Sequence, residues 1–256
     1  MNSDLPEEIA EAAMDGEFQL VKAWLAGGSA SAPRSVNSSD GADWTLLHWT
    51  VVGDLTPEHV EFARHLISQG ARVNATAERF DGSTALHFAC GFIRGEATAA
   101  MVSMLVAAGA TVSTRDDAGR TPLFCIDRIS ESTIDVVTPL LRAGASLDIT
   151  HRHRGPRSFE EHLRSHLNSI DGAYAGDVRN LVASVRAAGS WKTHCRLAHK
   201  EVLRLRSLVA RGRVKLPRTR RPRGRDARQA RALEFVVRQG DNGIVWNILS
   251  FWRETA

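Results

Sequence analysis

The stretch that decides the fold is DGSTALHFACG, residues 81–91. It does so because it recurs. Residues 43–53 read DWTLLHWTVVG, residues 118–128 read AGRTPLFCIDR and residues 154–164 read RGPRSFEEHLR. The aligned hydroxyl residues are Thr45, Thr84, Thr121 and Ser158, separated by 39, 37 and 37 positions. A second motif keeps phase with the first, an apolar stretch closed by glycine: WLAGGSA at 24–30, LISQGARVN at 66–74, MLVAAGATVS at 104–113, LLRAGASLD at 140–148 and VRAAGSW at 185–191. Self-similarity at a period of about 20–50 residues marks a repeat architecture. A further unit at the start has Ala12, Ala13, Gly16, Val21, Leu25 and Gly28 but lacks the hydroxyl motif.

Each motif has a local physical meaning. Thr45, Thr84 and Thr121 are placed to cap a helix, accepting from backbone N–H groups that have no intrahelical partner. Pro122 suits the first helical turn, where its missing N–H is not needed. Gly28, Gly70, Gly109 and Gly144 close the second helix of a pair, because glycine enters the left-handed region without steric cost. Between these signals the apolar residues fall at helical spacing: Val60, Ala63, Leu66 and Ile67; Met101, Met104, Leu105 and Ala108; Val136, Val137, Leu140 and Leu141. Each set is a buried stripe.

Together these features resemble the ankyrin repeat. Its Thr-Pro-Leu-His signature is matched as Thr45-Leu46-Leu47-His48, Thr84-Ala85-Leu86-His87 and Thr121-Pro122-Leu123-Phe124. Only one unit keeps the proline, Phe124 replaces the histidine there, and every unit is longer than the family's repeat. The resemblance covers residues 5–190. It implies an all-α fold, an ankyrin-repeat solenoid of about five helix pairs. It also implies a structural role for His48 and His87, hydrogen bonding to backbone within and between units. A single helix pair cannot bury its apolar face, so stability comes from stacking on neighbours. The surplus residues fall at Val52–His59 and Gly91–Thr98 and in longer turns at Ser29–Trp44, Ala71–Ser83 and Ala145–Arg157, where added loop costs little entropy.

The remainder divides by composition. Residues 191–210 carry Leu197, Val202, Leu205, Leu208 and Val209 on one stripe with Lys and Arg elsewhere, and read as a C-terminal helical cap of the array (1–190). Residues 211–231 hold ten Lys and Arg, one acid and two prolines, and read as a basic disordered linker. Residues 232–256 are apolar again and end in IVWNILSFW, a helical segment that needs a covering surface. The basic helix and this ending resemble the C-terminal extension of algal-type ankyrin proteins. The last nine apolar residues also resemble the end of an F-box, without its leading Leu-Pro, which implies an adaptor of a ubiquitin ligase.

Charge follows the same division. The chain has net charge +4, but residues 1–189 carry −8 and residues 190–256 carry +12. Cys90, Cys125 and Cys195 form no CxxC and read as free thiols, so the expected location is cytoplasmic or nuclear. The sequons at Asn37 and Asn74 carry no meaning in that setting. No run of about 18 apolar residues occurs, so no membrane span is expected.

Catalytic signatures are missing: no G-x-S-x-G, no phosphate loop and no dinucleotide fingerprint. His151, His153, His162 and His166, and the group His194, Cys195 and His199, lack a zinc-site spacing. The expectation is no enzyme, no cofactor and no metal. Trp49 and Phe88 continue the helical phase and read as core. The protein-binding candidates are turn residues: Trp44, Ser83 and Arg120, each just before a capping threonine, and Arg79, Phe80, Arg115, Asp116 and Asp117. Trp44 and Phe80 stand out, because aromatic and arginine side chains anchor interfaces. The reading is a monomeric interaction scaffold that binds a protein partner on its concave face and turns. The alternatives are the ligase adaptor, through 232–256, and nonspecific nucleic-acid association through 211–231. The latter is disfavoured because no aromatic residue is available there for base stacking.

Overall fold

The computed structural model describes residues 5–28, 34–78, 81–93, 95–149, 158–167, 173–197 and 200. The chain divides into two units, Met1–Ala183 and Ser184–Ala256. Nine α-helices occur among the described residues: α1 (Glu7–Asp15), α2 (Phe18–Ala26), α3 (Leu46–Val52), α4 (Pro57–Ser68), α5 (Ala85–Gly91), α6 (Glu96–Ala107), α7 (Thr133–Arg142), α8 (Phe159–Leu167) and α9 (Ala173–Ala188). A 3-10 turn, Pro122–Cys125, stands between α6 and α7. No strand occurs among the described residues. Three isolated β-bridges, Ser39 to Thr45, Thr76 to Thr84 and Asp148 to Ser158, close the bases of the projecting turns.

The packed pairs are α1 with α2, α3 with α4 and α5 with α6; the 3-10 turn and α7 make up the fourth unit, and α8 opens the next. The first members stack as an inner row, α1 on α3, α3 on α5, α5 on the 3-10 turn, and that turn on α8. An outer row runs from α4 to α6 to α7. This is the all-α solenoid the repeats imply. Its core is continuous because each pair supplies apolar residues to both neighbours. Leu46, Leu66, Leu86, Met101, Leu105, Leu123, Leu140 and Phe159 are all fully buried.

Local chemistry explains where helices begin. The N–H of Thr45 donates to Nδ1 of His48 at 3.1 Å, closing a capping box in which histidine occupies the third helical position. Thr84 and His87 do the same at 3.1 Å. Each outer helix of the middle pairs ends at a glycine in the left-handed region: φ is +91° at Gly70, +92° at Gly109 and +90° at Gly144.

The fourth unit departs from the expected helix pair. Phe124 stands where the others have histidine, so the N–H of Thr121 loses its side-chain acceptor. The hydroxyl of Thr121 is buried and has no hydrogen-bond partner among the described residues. The inner element there shrinks to one 3-10 turn, followed by an extended segment at Ile126.

Side-chain to backbone hydrogen bonds add to the apolar contacts between units. Asn37 donates from Nδ2 to the Gly70 carbonyl at 3.0 Å and accepts at Oδ1 from the Arg72 N–H at 2.7 Å. Asn74 repeats this one unit on, donating to the Gly109 carbonyl at 3.0 Å and accepting from the Thr111 N–H at 2.7 Å. The two sequon asparagines, which carried no meaning in the sequence, are therefore clamps between successive units.

In the second unit residues 191–197 are helical. The rest of the expected cap apart from Lys200, the basic segment 211–231 and the apolar segment 232–256 lie outside the described residues, and with them the adaptor and nucleic-acid readings. Among the described residues, no helix is long and apolar enough to cross a membrane.

Candidate protein-binding face

The inner helices and the turns that precede them share one face. Its polar framework is set by the imidazoles. Because Nδ1 of His48 accepts the Thr45 N–H, the ring hydrogen sits on Nε2, which donates to the Ala75 carbonyl of the next unit at 3.1 Å. His87 donates likewise to the Arg120 carbonyl at 3.3 Å. Burial lowers the pKa of His48 to about 4, only partly opposed by the Ala75 carbonyl and by Asp40 and Asp81. Protonation at Nδ1 would set two donors against each other, so geometry and burial act in the same direction. Burial also lowers the pKa of His87.

Two further imidazoles bridge units in the opposite direction. His59, in a capping box with Thr56 at the start of α4, lies with Nε2 3.0 Å from the Met14 carbonyl. His162 lies with Nε2 2.7 Å from the Ile126 carbonyl and packs against the rings of both Phe124 and Phe159, which also touch each other. The His162 placement removes it from the histidine group considered for metal. His151, His153 and His199 lie outside the described residues, and no group of three or more His, Cys, Asp or Glu could hold a metal among the described ones.

Several binding candidates are placed differently from expectation. Ser83 is 2% exposed, because its carbonyl accepts the Ala77 N–H and folds the turn back on itself. Asp116 is 5% exposed; Oδ1 takes the Arg120 N–H and Oδ2 takes Arg120 Nε, each at 2.7 Å. Neither side chain can reach a partner, and both are struts of the turns. Arg115, Asp117 and Arg120 are exposed, and Arg115 donates to the Gly119 carbonyl at 3.3 Å. Arg79 and Phe80 lie outside the described residues.

Trp44 is half-buried. Its ring packs 4.6 Å from Phe88, 4.9 Å from Trp49 and 6.2 Å from His48. Phe88 is core, as expected, but Trp49 is half-buried and tethered through Nε1 to Oδ2 of Asp40 at 3.0 Å. Between the first two projecting turns lies a groove of about 630 Å³ lined by Asn37, Ser39, Asp43, Arg72, Asn74 and Glu78.

The cysteines on this face are not activated. Cys90 is buried and its thiol is pushed well above the ordinary range by burial. Burial likewise raises Cys125 to about 12, although Arg120 opposes it. Neither thiol is a nucleophile at neutral pH.

Three further residues of this framework carry a signal in the sequence. His59 belongs to Thr56-Pro57-Glu58-His59, a further copy of the capping signature. Asn37 and Asn74 each follow a valine and are 37 positions apart, the repeat period itself.

The geometry defines a class: stacked helix pairs with β-bridged turns on one side. Residues 9–116 match the family of ankyrin repeats, in three copies. These residues are ankyrin repeats, and repeats of this family generally mediate protein–protein interaction and are generally not enzymes. The match ends at Asp116, just before the unit that lost its histidine. No curated protein matches the chain.

Proposed function

We propose that the array is a non-catalytic scaffold that binds one protein partner through its inner helices and projecting turns. One observation carries this reading. Trp44, in the first projecting turn, and Trp49, on the inner row, are only partly buried, and Arg115, Asp117 and Arg120 of the third turn are exposed. Tryptophan and arginine at the rim of a rigid surface are the usual anchors of an interface, and an area of about 800 Å² per partner suffices for a stable complex. Among the described residues, the thiols of Cys90 and Cys125 are not activated and the imidazoles of His48 and His87 are committed to backbone.

Photo-crosslinking tests it. A photoreactive residue at position 118, on the third turn, is expected to trap a single protein in extracts of the source cells. A probe at position 64, on the outer face of α4, is expected not to trap it. The same partner trapped equally from both positions, or none from 118, would overturn the reading.

A further inference from the structure

The first two outer helices border a cavity that partner binding through the inner helices does not use. It has a volume of about 750 Å³ and lies between α2, α4 and the chain that leads into the first projecting turn. Lys22 and Leu25 come from α2, Arg34, Ser35 and Val36 from the chain, and His65 from α4. No carboxylate lines it among the described residues. The surrounding sequence runs the other way: residues 1–78 hold twelve Asp and Glu against four Lys and Arg. Lys22 is the only lysine before Lys192. Its Nζ stands 5.9 Å from the centre of the Phe62 ring. Arg34 donates from Nη1 to the Trp24 carbonyl at 2.7 Å and lies 5.3 Å from the centre of the Trp24 ring. Neither cation forms an ion pair among the described residues. Ser35 Oγ accepts the Asn37 N–H at 3.1 Å, and Asn37 is itself clamped to Gly70 and Arg72, so this wall of the cavity is fixed.

The lining is a set of donors without an acceptor of opposite charge. The Trp24 carbonyl occupies one end of the Arg34 guanidinium and leaves the Nε–Nη2 edge for a bidentate contact. The ring contacts of Arg34 and Lys22 hold the side chains without neutralising them. The Ser35 hydroxyl keeps its hydrogen for a ligand, because its oxygen is the atom that Asn37 uses. Two cations, an imidazole and a hydroxyl thus stand on three sides of one space. A carboxylate offers two oxygens and a single charge, which one arginine satisfies. A phosphate monoester offers three acceptor oxygens and a charge of about −1.5 to −2 at neutral pH, which matches two cations and donors from several sides. The half-buried side chains of Leu25 and Val36 give the cavity an apolar wall, and its volume falls in the range of about 300–1,000 Å³ that small ligands fill. We infer that this cavity binds a small organic phosphate, with the phosphate among Arg34, Lys22 and His65 and the organic part against Leu25 and Val36. The site is separate from the partner-binding face and stands or falls without it.

The ten Lys and Arg of residues 211–231 attract any anion, so the test reads binding at the cavity itself. Phenyl phosphate, inorganic phosphate, benzoate and phenol are titrated into the full chain, and proton–nitrogen correlation NMR follows the backbone N–H signals of Ser35 and Val36. Phenyl phosphate is expected to move these signals to saturation, at least about tenfold more tightly than benzoate. Inorganic phosphate is expected to move the same signals with weaker affinity, and phenol to leave them in place. Arg34→Gln and Lys22→Gln are each expected to weaken phenyl phosphate at least about tenfold. Arg64→Gln removes a cation that is paired with Glu61 at 3.5 Å, and is expected to stay within about twofold of wild type. Should Arg34→Gln disturb the chain at Trp24, Lys22→Gln, which removes no hydrogen bond, decides the matter. Shifts confined to residues 211–231, or equal affinity for benzoate, would overturn the site. A phosphoserine pentapeptide or phosphatidic acid vesicles, bound at Ser35 and Val36 at least about tenfold more tightly than phenyl phosphate, would overturn the assignment to a small molecule.

Discussion

Thr84 and Thr121 occupy the same place in successive repeats and are expected to respond to the same substitution with opposite sign. Thr84 is 1% exposed, and its hydroxyl lies 2.9 Å from Nδ1 of His87 within the capping box. Replacing it with valine keeps the shape and the extended backbone but removes the cap, at a cost of about 1–2 kcal/mol. Thr121 is 4% exposed, and its hydroxyl has no partner among the described residues because Phe124 replaced the histidine. A buried, unpaired hydroxyl costs about 1–3 kcal/mol, so the methyl of valine removes a penalty and is expected to stabilise by about 1 kcal/mol. The pair should therefore differ by about 2–3 kcal/mol. Urea unfolding followed by far-UV circular dichroism measures both, with the midpoint shifting down for Thr84→Val and up for Thr121→Val at unchanged slope. Equal destabilisation by both would refute the reasoning, because it would mean that the histidine is not what satisfies the capping hydroxyl.

Acidification probes His48. Its folded pKa, about 4, lies below the unfolded value of about 6.5, so the unfolded state takes up the proton first. Stability is unaffected above pH 6.5 and falls as pH drops toward 4, by about 3 kcal/mol in total; His87 adds a loss in the same direction. In His48→Gln the urea midpoint should depend less on pH between 6.5 and 4, and an unchanged pH dependence would contradict the assignment. A Cβ built on Gly53 would land on the carbonyl oxygen of Met14, the same oxygen that His59 approaches at 3.0 Å. Gly53→Ala is expected to lose about 3 kcal/mol in chemical denaturation, against about 0.5 kcal/mol or less at Gly41, where nothing lies within 4 Å. Replacing Asn74 with alanine removes two hydrogen bonds between units and should cost about 1–2 kcal/mol, with faster amide exchange at Thr111, whose N–H it holds.

The repeat was legible because its signals are local. Threonine before an apolar run, glycine after one, and the spacing between them depend on a few neighbouring residues, and they place the helix pairs α1–α2, α3–α4 and α5–α6. What depended on a neighbouring unit was not legible. Asn37 reads as a turn residue until the Gly70 carbonyl, 33 positions on, is placed against it. Trp49 lies in phase with the core, and only the fold shows that it stays half-covered while Phe88, its equivalent, is sealed. Ser83 and Asp116 were read as exposed because they lie in turns, yet the turns fold back and enclose them. The 3-10 turn at Pro122–Cys125 was read as a helix because a short apolar run looks alike in both. The difference lies in one absent imidazole acceptor, visible as Phe124 but without apparent consequence until the capping box is seen in its neighbours.

Each helix pair holds its structure by leaning on the next. Far-UV circular dichroism of residues 81–118 alone, compared with residues 5–149, measures this dependence. A coil spectrum is expected for the single unit and a helical spectrum with a cooperative melt for the longer piece. A single unit that is helical and melts cooperatively by itself would contradict it.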